Sequence, residues 1–183
     1  MDWWIILIIV AVLLVFYVIS VYNSLVNLKN KVEDQMSQID VELKRRFDLI
    51  PNLIETVKGY TKHEKETLES VVNARNSYVS ADNLGDQLKA DGELTNAISK
   101  LFALTESYPD LKANENFMNL SNQLNQVEED IANARKYYNG TVRIFNDKVL
   151  MFPSNIIAKL FGYKTKDMFE TASNERENVK VEF

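Results

Sequence analysis

No cysteine occurs in the chain, which excludes disulfides, thiol nucleophiles and thiolate-bound metals. Histidine occurs once, at His63. Any Ser-His-Asp arrangement would have to use it. A di-metal carboxylate site in a helical bundle needs Glu-x-x-His on each of two helices. Here Tyr60 stands three residues before His63 and there is no second histidine, so that site fails and His63 reads as a first-turn surface residue. The five glycines are scattered, and neither a phosphate-cradling loop nor a G-x-S-x-G elbow is present. With only three prolines as well, the turn clusters of a β-rich fold are missing, and an all-α fold is expected. Basic residues are outnumbered, giving a net charge of −5, so no nucleic-acid partner is expected. The sequence reads as no enzyme, with no cofactor and no metal.

What the chain has instead is apolar length. Residues 3–28 carry no charge, and residues 3–19 are apolar on every side. A bilayer core of ~30 Å needs about 20 such helical residues. Asp2 stands where a signal peptide would be basic, and no small-x-small cleavage site follows the run, so an uncleaved anchor is expected over residues 1–24. Trp3 and Trp4 at one end and Tyr22 at the other suit the two membrane interfaces. Lys29 and Lys31, backed by Lys44, Arg45 and Arg46, orient the N-terminus outward and the large domain to the cytoplasm.

Beyond the anchor the apolarity narrows to one stripe: Leu25, Leu28, Val32, Met36, Ile39, Leu43, Phe47, Ile50, Ile54 and Val57. Steps of three and four mark one face of a helix. The register survives Pro51, where the helix either kinks or restarts, and Gly59 is placed to stop it. Thr61 and Glu64 have capping-box spacing for a second helix ending near Val79, with Leu68, Val71, Val72, Tyr78 and Val79 inward. Residues 80–92 are polar and glycine-containing and read as a loop. A third helix is expected over residues 93–107, with Leu94, Ile98, Leu101, Phe102 and Tyr108 toward the core, and Tyr108-Pro109-Asp110 as a turn. A fourth carries the matching stripe Phe117, Leu120, Leu124, Val127, Ile131, Ala134, Tyr138, Val142, Phe145 and Val149. The first and last stripes would each run ~48 Å. The reading is an antiparallel four-helix bundle over residues 25–170, two helices long and two short, with a mobile polar tail over residues 171–183.

Residues 152–164 would then return to the anchor. Pro153 can open a short helix. Ile156, Ile157, Leu160 and Phe161 form its apolar face, flanked by Lys159, Tyr163, Lys164 and Lys166. The segment either dips into the lipid interface or caps the bundle end. The densest polar cluster is Arg45, Arg46, Asp48 and Asn52. It is a docking patch, a polar knot at Pro51, or a source of interhelical salt bridges to Glu106, Glu128 or Asp130.

The motifs Arg45-Arg46-x-Asp48-Leu49-Ile50-Pro51-Asn52-Leu53, Glu55-Thr56-Val57-Lys58-Gly59-Tyr60 and His63-Glu64 resemble the signature of the LemA family. So do residues 108–117, Ala134-Arg135-x-Tyr137-Tyr138-Asn139, Phe145-Asn146 and Phe152-Pro153-Ser154. The likeness runs from Tyr22-Asn23 to Phe169-Glu170, departing at Met36-Ser37, where the family often carries Trp. It implies a bacterial inner-membrane, single-pass protein with a cytoplasmic helical bundle and no known catalysis. A similar magnetosome protein points to membrane assembly, and neighbouring genes for proteases resembling HtpX point to a regulatory partner. Two roles follow. One is a scaffold that binds membrane lipid and assembles as a homo-oligomer. The other is an accessory subunit of another membrane protein, with the Arg45–Asn52 patch or Tyr137, Tyr138 and Asn139 as its contact.

Overall fold

The apolar stripe that begins in the anchor folds as one helix. In the computed structural model, which describes residues 3–61, 64–81 and 84–169, helix α1 runs unbroken over Trp3–Lys58. Pro51 lies inside it on the exposed side, where the carbonyl deprived of its partner can turn to water. The other helices among the described residues are α2 (Lys65–Val79), α3 (Leu84–Thr105), α4 (Pro109–Lys112), α5 (Glu115–Leu150) and α6 (Ser154–Leu160). The chain is all-helical, with long α1 packed against long α5 and shorter helices between them. Every residue of the two stripes read from the sequence is buried or half-buried.

Contacts divide the chain into two compact units: residues 1–41 with 131–183, and residues 42–130. In the second, the last turns of α1, then α2, α3, α4 and the start of α5 enclose one core. Ile50, Leu53 and Val57 meet Val71, Leu94, Leu101, Leu111 and Leu124, all fully buried. In the first, Val21, Leu25, Val32 and Ile39 of α1 are buried with Ile131, Tyr138, Val142 and Phe145 of α5, and with Ile157 and Ala158 of α6. Residues 163–169 follow in non-helical conformation. The front of α1, with mean hydropathy 3.1, is long and apolar enough to cross a membrane. Its large side chains from Trp3 to Phe16 are about half exposed or more.

Several local expectations are corrected. Thr61 does not cap α2. Its hydroxyl and its N–H both donate to the Val57 carbonyl at 3.0 Å, so it closes α1, and the N-cap of α2 is Glu64 without a side-chain bond. Lys62 and His63 lie outside the described residues. Gly59 follows α1 but without the positive φ of a glycine stop. Val72 and Val79 are exposed, and Ala74 takes the inward position. The loop read over residues 80–92 is largely helix, since α3 starts at Leu84. Each glycine in a helix interior costs about 1 kcal/mol against alanine, but Ala90 and Asp91 are buried, and tertiary contact there outweighs local propensity. The Tyr108-Pro109-Asp110 turn is the entry to α4, with Pro109 in its first turn and Leu111 buried. The tail beyond Phe169 lies outside the described residues.

Candidate functional site

Four groups of side chains stand out, one in the second unit and three in the first. In the second, Arg46 has no exposure at all. Its guanidinium donates to Glu128 at 2.9 Å, to the Thr95 hydroxyl at 3.3 Å, and to Asp91. Burial opposes the charge, but the two carboxylates outweigh it and hold the Arg46 pKa above its ordinary value. A buried cation needs such partners. The rest of the polar cluster lies outside this knot. Arg45 pairs with Glu42 at 3.7 Å and Asp130 at 3.6 Å. Asp48 pairs with Lys44 at 3.1 Å, both exposed, and Asn52 is exposed. Asp91 escaped sequence reasoning because it fell in a stretch read as loop.

In the first unit, residues 163–169 are strapped to α5. The Asn139 amide donates to the Phe169 carbonyl and accepts from the Phe169 N–H, both at 2.8 Å. Seven residues on, Asn146 does the same with Lys166, at 2.9 and 2.8 Å. Seven helical residues and three extended ones both span about 10 Å, so the two amides match the spacing of the peptides they hold. Between them the Tyr138 hydroxyl donates to the Asp167 carbonyl at 3.2 Å. The Tyr138 ring meets Phe169 edge-on at 5.0 Å, and Arg135 lies 5.5 Å over that ring. Burial, then the Asp167 charge, pushes the Tyr138 phenol above its ordinary pKa. Tyr138 and Asn139 thus hold the chain's own strap, while Tyr137 is 68% exposed. Asn146 and Phe169 fall in the family-like motifs but were given no role from the sequence, although the seven-residue spacing of Asn139 and Asn146 was there to read.

On its other flank α5 presents an exposed seam. Tyr137 and Ile144, seven residues apart, are 68 and 56% exposed, and Met151, one repeat further on, lies just past the helix end at 63%. Gly140 lies on the same side, and a Cβ built there would meet nothing within 4 Å. By helical periodicity this face is on the opposite flank of α5 from Asn139 and Asn146.

The remaining group is the turn from α5 into α6. Ile157 and Ala158 face inward, while Ile156, Leu160 and Phe161 are exposed. Phe161 and Tyr163 gather around Tyr22 of α1, with ring centroids 4.7 and 6.5 Å away. The helix ends in a Schellman closure: Tyr163 N–H donates to Ala158 and Gly162 N–H to Lys159, with Gly162 at φ 74°, as that motif requires. Burial, then Tyr22, raises the Tyr163 pKa. A cleft of about 340 Å3 opens here, lined by Val149, Leu150, Asn155, Lys159, Tyr163 and Lys164 among others. Trp3 and Trp4 lie tilted against each other, ring centroids 3.9 Å apart, at the far end of the apolar run. Among the described residues no group of three His, Cys, Asp or Glu is placed to hold a metal.

Residues 35–183 match the model of the family described as LemA family. The chain is similar to Protein LemA of Metamycoplasma hominis, 25% identical over 168 residues that cover 90% of this chain and 77% of that protein. It is also similar to Magnetosome protein MamQ 2 of Paramagnetospirillum magneticum, 24% identical over 175 residues, covering 81% of this chain and 64% of the relative. Magnetosome protein MamQ of Magnetospirillum gryphiswaldense is 23% identical over 174 residues with the same coverage. The alignments thus span just under two thirds of the magnetosome relatives' length.

Proposed function

Because the chain belongs to the LemA family, a group of helical proteins anchored by an apolar N-terminal helix, we propose that it is a non-enzymatic membrane scaffold that self-associates through α5. It would sit in the bacterial inner membrane with its N-terminus outside and its bundle in the cytoplasm. The positive charges from Lys29 to Arg46 support that orientation.

The observation that carries this reading is the seam of Tyr137, Gly140 and Ile144 on one face of α5. Apolar residues at a seven-residue repeat on an exposed helix face are the pattern of a coiled-coil seam. Gly140 weakens its own helix, and among the described residues no neighbouring side chain fills the space beside it. An open glycine between apolar residues allows the close approach of another helix. Confinement of anchored copies to one membrane raises their effective concentration, so a modest seam suffices.

The test uses the absence of native cysteine. Tyr137→Cys in the full-length chain, treated with a bifunctional thiol reagent in native membranes, should give ladders of the protein with itself. Ile144→Asp in the same background should abolish them. A single crosslinked product, too small for a ladder and containing a different membrane protein, would replace the scaffold with an accessory subunit.

A further inference from the structure

We propose that the cleft between the end of α5 and α6 holds the headgroup phosphate of an anionic phospholipid, with the exposed apolar side chains of residues 150–161 sunk into the same leaflet. The proposal rests on the reading of α1 as a membrane span and is independent of self-association.

From Trp3 to Tyr22 a helix rises about 28 Å, the thickness of a bilayer core. With the Trp pair at one interface, Tyr22 stands at the other. Phe161 lies 4.7 Å from Tyr22, so the end of α6 sits at headgroup depth. There Leu150, Met151, Phe152, Ile156 and Leu160 are each 60% exposed or more, and Phe152 reaches 79%. Five large apolar side chains so close together make a patch that water-facing surfaces avoid and membrane-binding surfaces use.

The chain is net negative, yet residues 148–166 contain Lys148, Lys159, Lys164 and Lys166 and no acidic residue. Lys166 is paired with Glu33 at 3.6 Å. Lys159 and Lys164 line the cleft and have no acidic partner among the described residues. Two ammonium donors over an apolar wall fit a phosphate attached to a diacylglycerol. Gly162 adds no side chain to the rim. A docked protein would have to reach this site at the depth of the lipid headgroups, which makes lipid the better occupant.

The test uses the full-length chain in vesicles of phosphatidylcholine mixed with phosphatidylglycerol. Single cysteines carry an environment-sensitive fluorophore: Leu160→Cys at the proposed contact, Leu13→Cys in the span, and Tyr137→Cys about 20 Å back along α5. Nitroxide-labelled lipid should quench the first two and spare the third. At Leu160→Cys, nitroxide phosphatidylglycerol should quench more efficiently than nitroxide phosphatidylcholine, by roughly five-fold per lysine. Lys159→Gln with Lys164→Gln should bring that preference near parity while leaving the Leu13→Cys signal unchanged.

Quenching at Leu13→Cys but not at Leu160→Cys would overturn the lipid contact and leave the anchor standing. Loss of quenching at Leu13→Cys would remove the anchor reading and this inference with it. Equal quenching by both lipids would overturn the headgroup assignment. So would loss of the preference on adding excess inorganic phosphate, which would make the cleft a site for the free ion.

Discussion

Asn139 and Phe169 exchange two hydrogen bonds, a side-chain amide pairing with a backbone peptide as a neighbouring strand would. Asn146 repeats the arrangement at Lys166. The strap therefore obtains from α5 the peptide partners that a coil otherwise takes from water. Aspartate at either position keeps the acceptor and loses the donor, leaving a carboxylate against a carbonyl. Asn139→Asp should cost about 1–3 kcal/mol and expose residues 163–169 to protease. Thermal unfolding and limited proteolysis of the full chain would measure both, and an unchanged cleavage pattern would show that the strap does not depend on this pair.

Arg46 and Asp91 predict a different asymmetry. Removing one partner of a buried ion pair leaves the other charged and unsolvated, at about 3–5 kcal/mol. Arg46→Ala should therefore destabilise strongly. Arg46→Met combined with Asp91→Leu should recover most of the loss, because similar volume is restored and no charge is stranded apart from Glu128, which is about a third exposed. Chemical denaturation of the single and double variants forms the test. Equal instability of both would mean that the pair is needed for the fold in a way that charge removal does not relieve.

These two pairs also mark how far the sequence could be read. The stripes of α1 and α5 were legible because each keeps one apolar register over many turns, and Pro51 does not disturb it. Of the three acidic partners that the sequence offers the Arg45–Asn52 cluster, Glu128 pairs with Arg46 and Asp130 with Arg45, while Glu106 pairs with Lys112 instead. The start of α3 was not legible, because Gly85 and Gly92 argue locally for a loop. The helix there includes Asp91, whose partner Arg46 is 45 positions away in the chain. The strap was hidden for the opposite reason. Its bonds run to side chains, so residues 163–169 carry no periodic signal at all. The α6 segment was recognised, but its depth beside Tyr22 emerges only from the ring contacts.

Tyr138 gives the strap a response to pH. Its phenol is raised above the ordinary value near 10 by burial and by the Asp167 charge, so the fold prefers the neutral form. Stability from this group is fully present below the unfolded pKa, about 10, and is lost as pH rises through the higher folded value. The wild type should therefore lose its advantage over Tyr138→Phe as pH climbs above about 10. Paired unfolding curves below and above that pH would check it. A difference between the two proteins that does not change with pH would remove the phenol from the account.

Gly162→Ala and Gly140→Ala should move stability in opposite directions, and the second bears on function. Gly162 has φ 74°, a conformation that costs an L-residue roughly 1–2 kcal/mol, so alanine there should destabilise the end of α6. Gly140 is in the interior of α5 with open space beside it, so alanine should stabilise the isolated chain by about 1 kcal/mol. If the α5 seam joins two copies, the same Cβ stands where the partner helix must approach, and the gain in stability should come with weaker self-association. Thermal unfolding in dilute detergent reads the first effect. Crosslinking through Tyr137→Cys in membranes reads the second. A more stable chain with undiminished ladders would place the contact between copies somewhere other than Gly140, and the scaffold reading would need a different face.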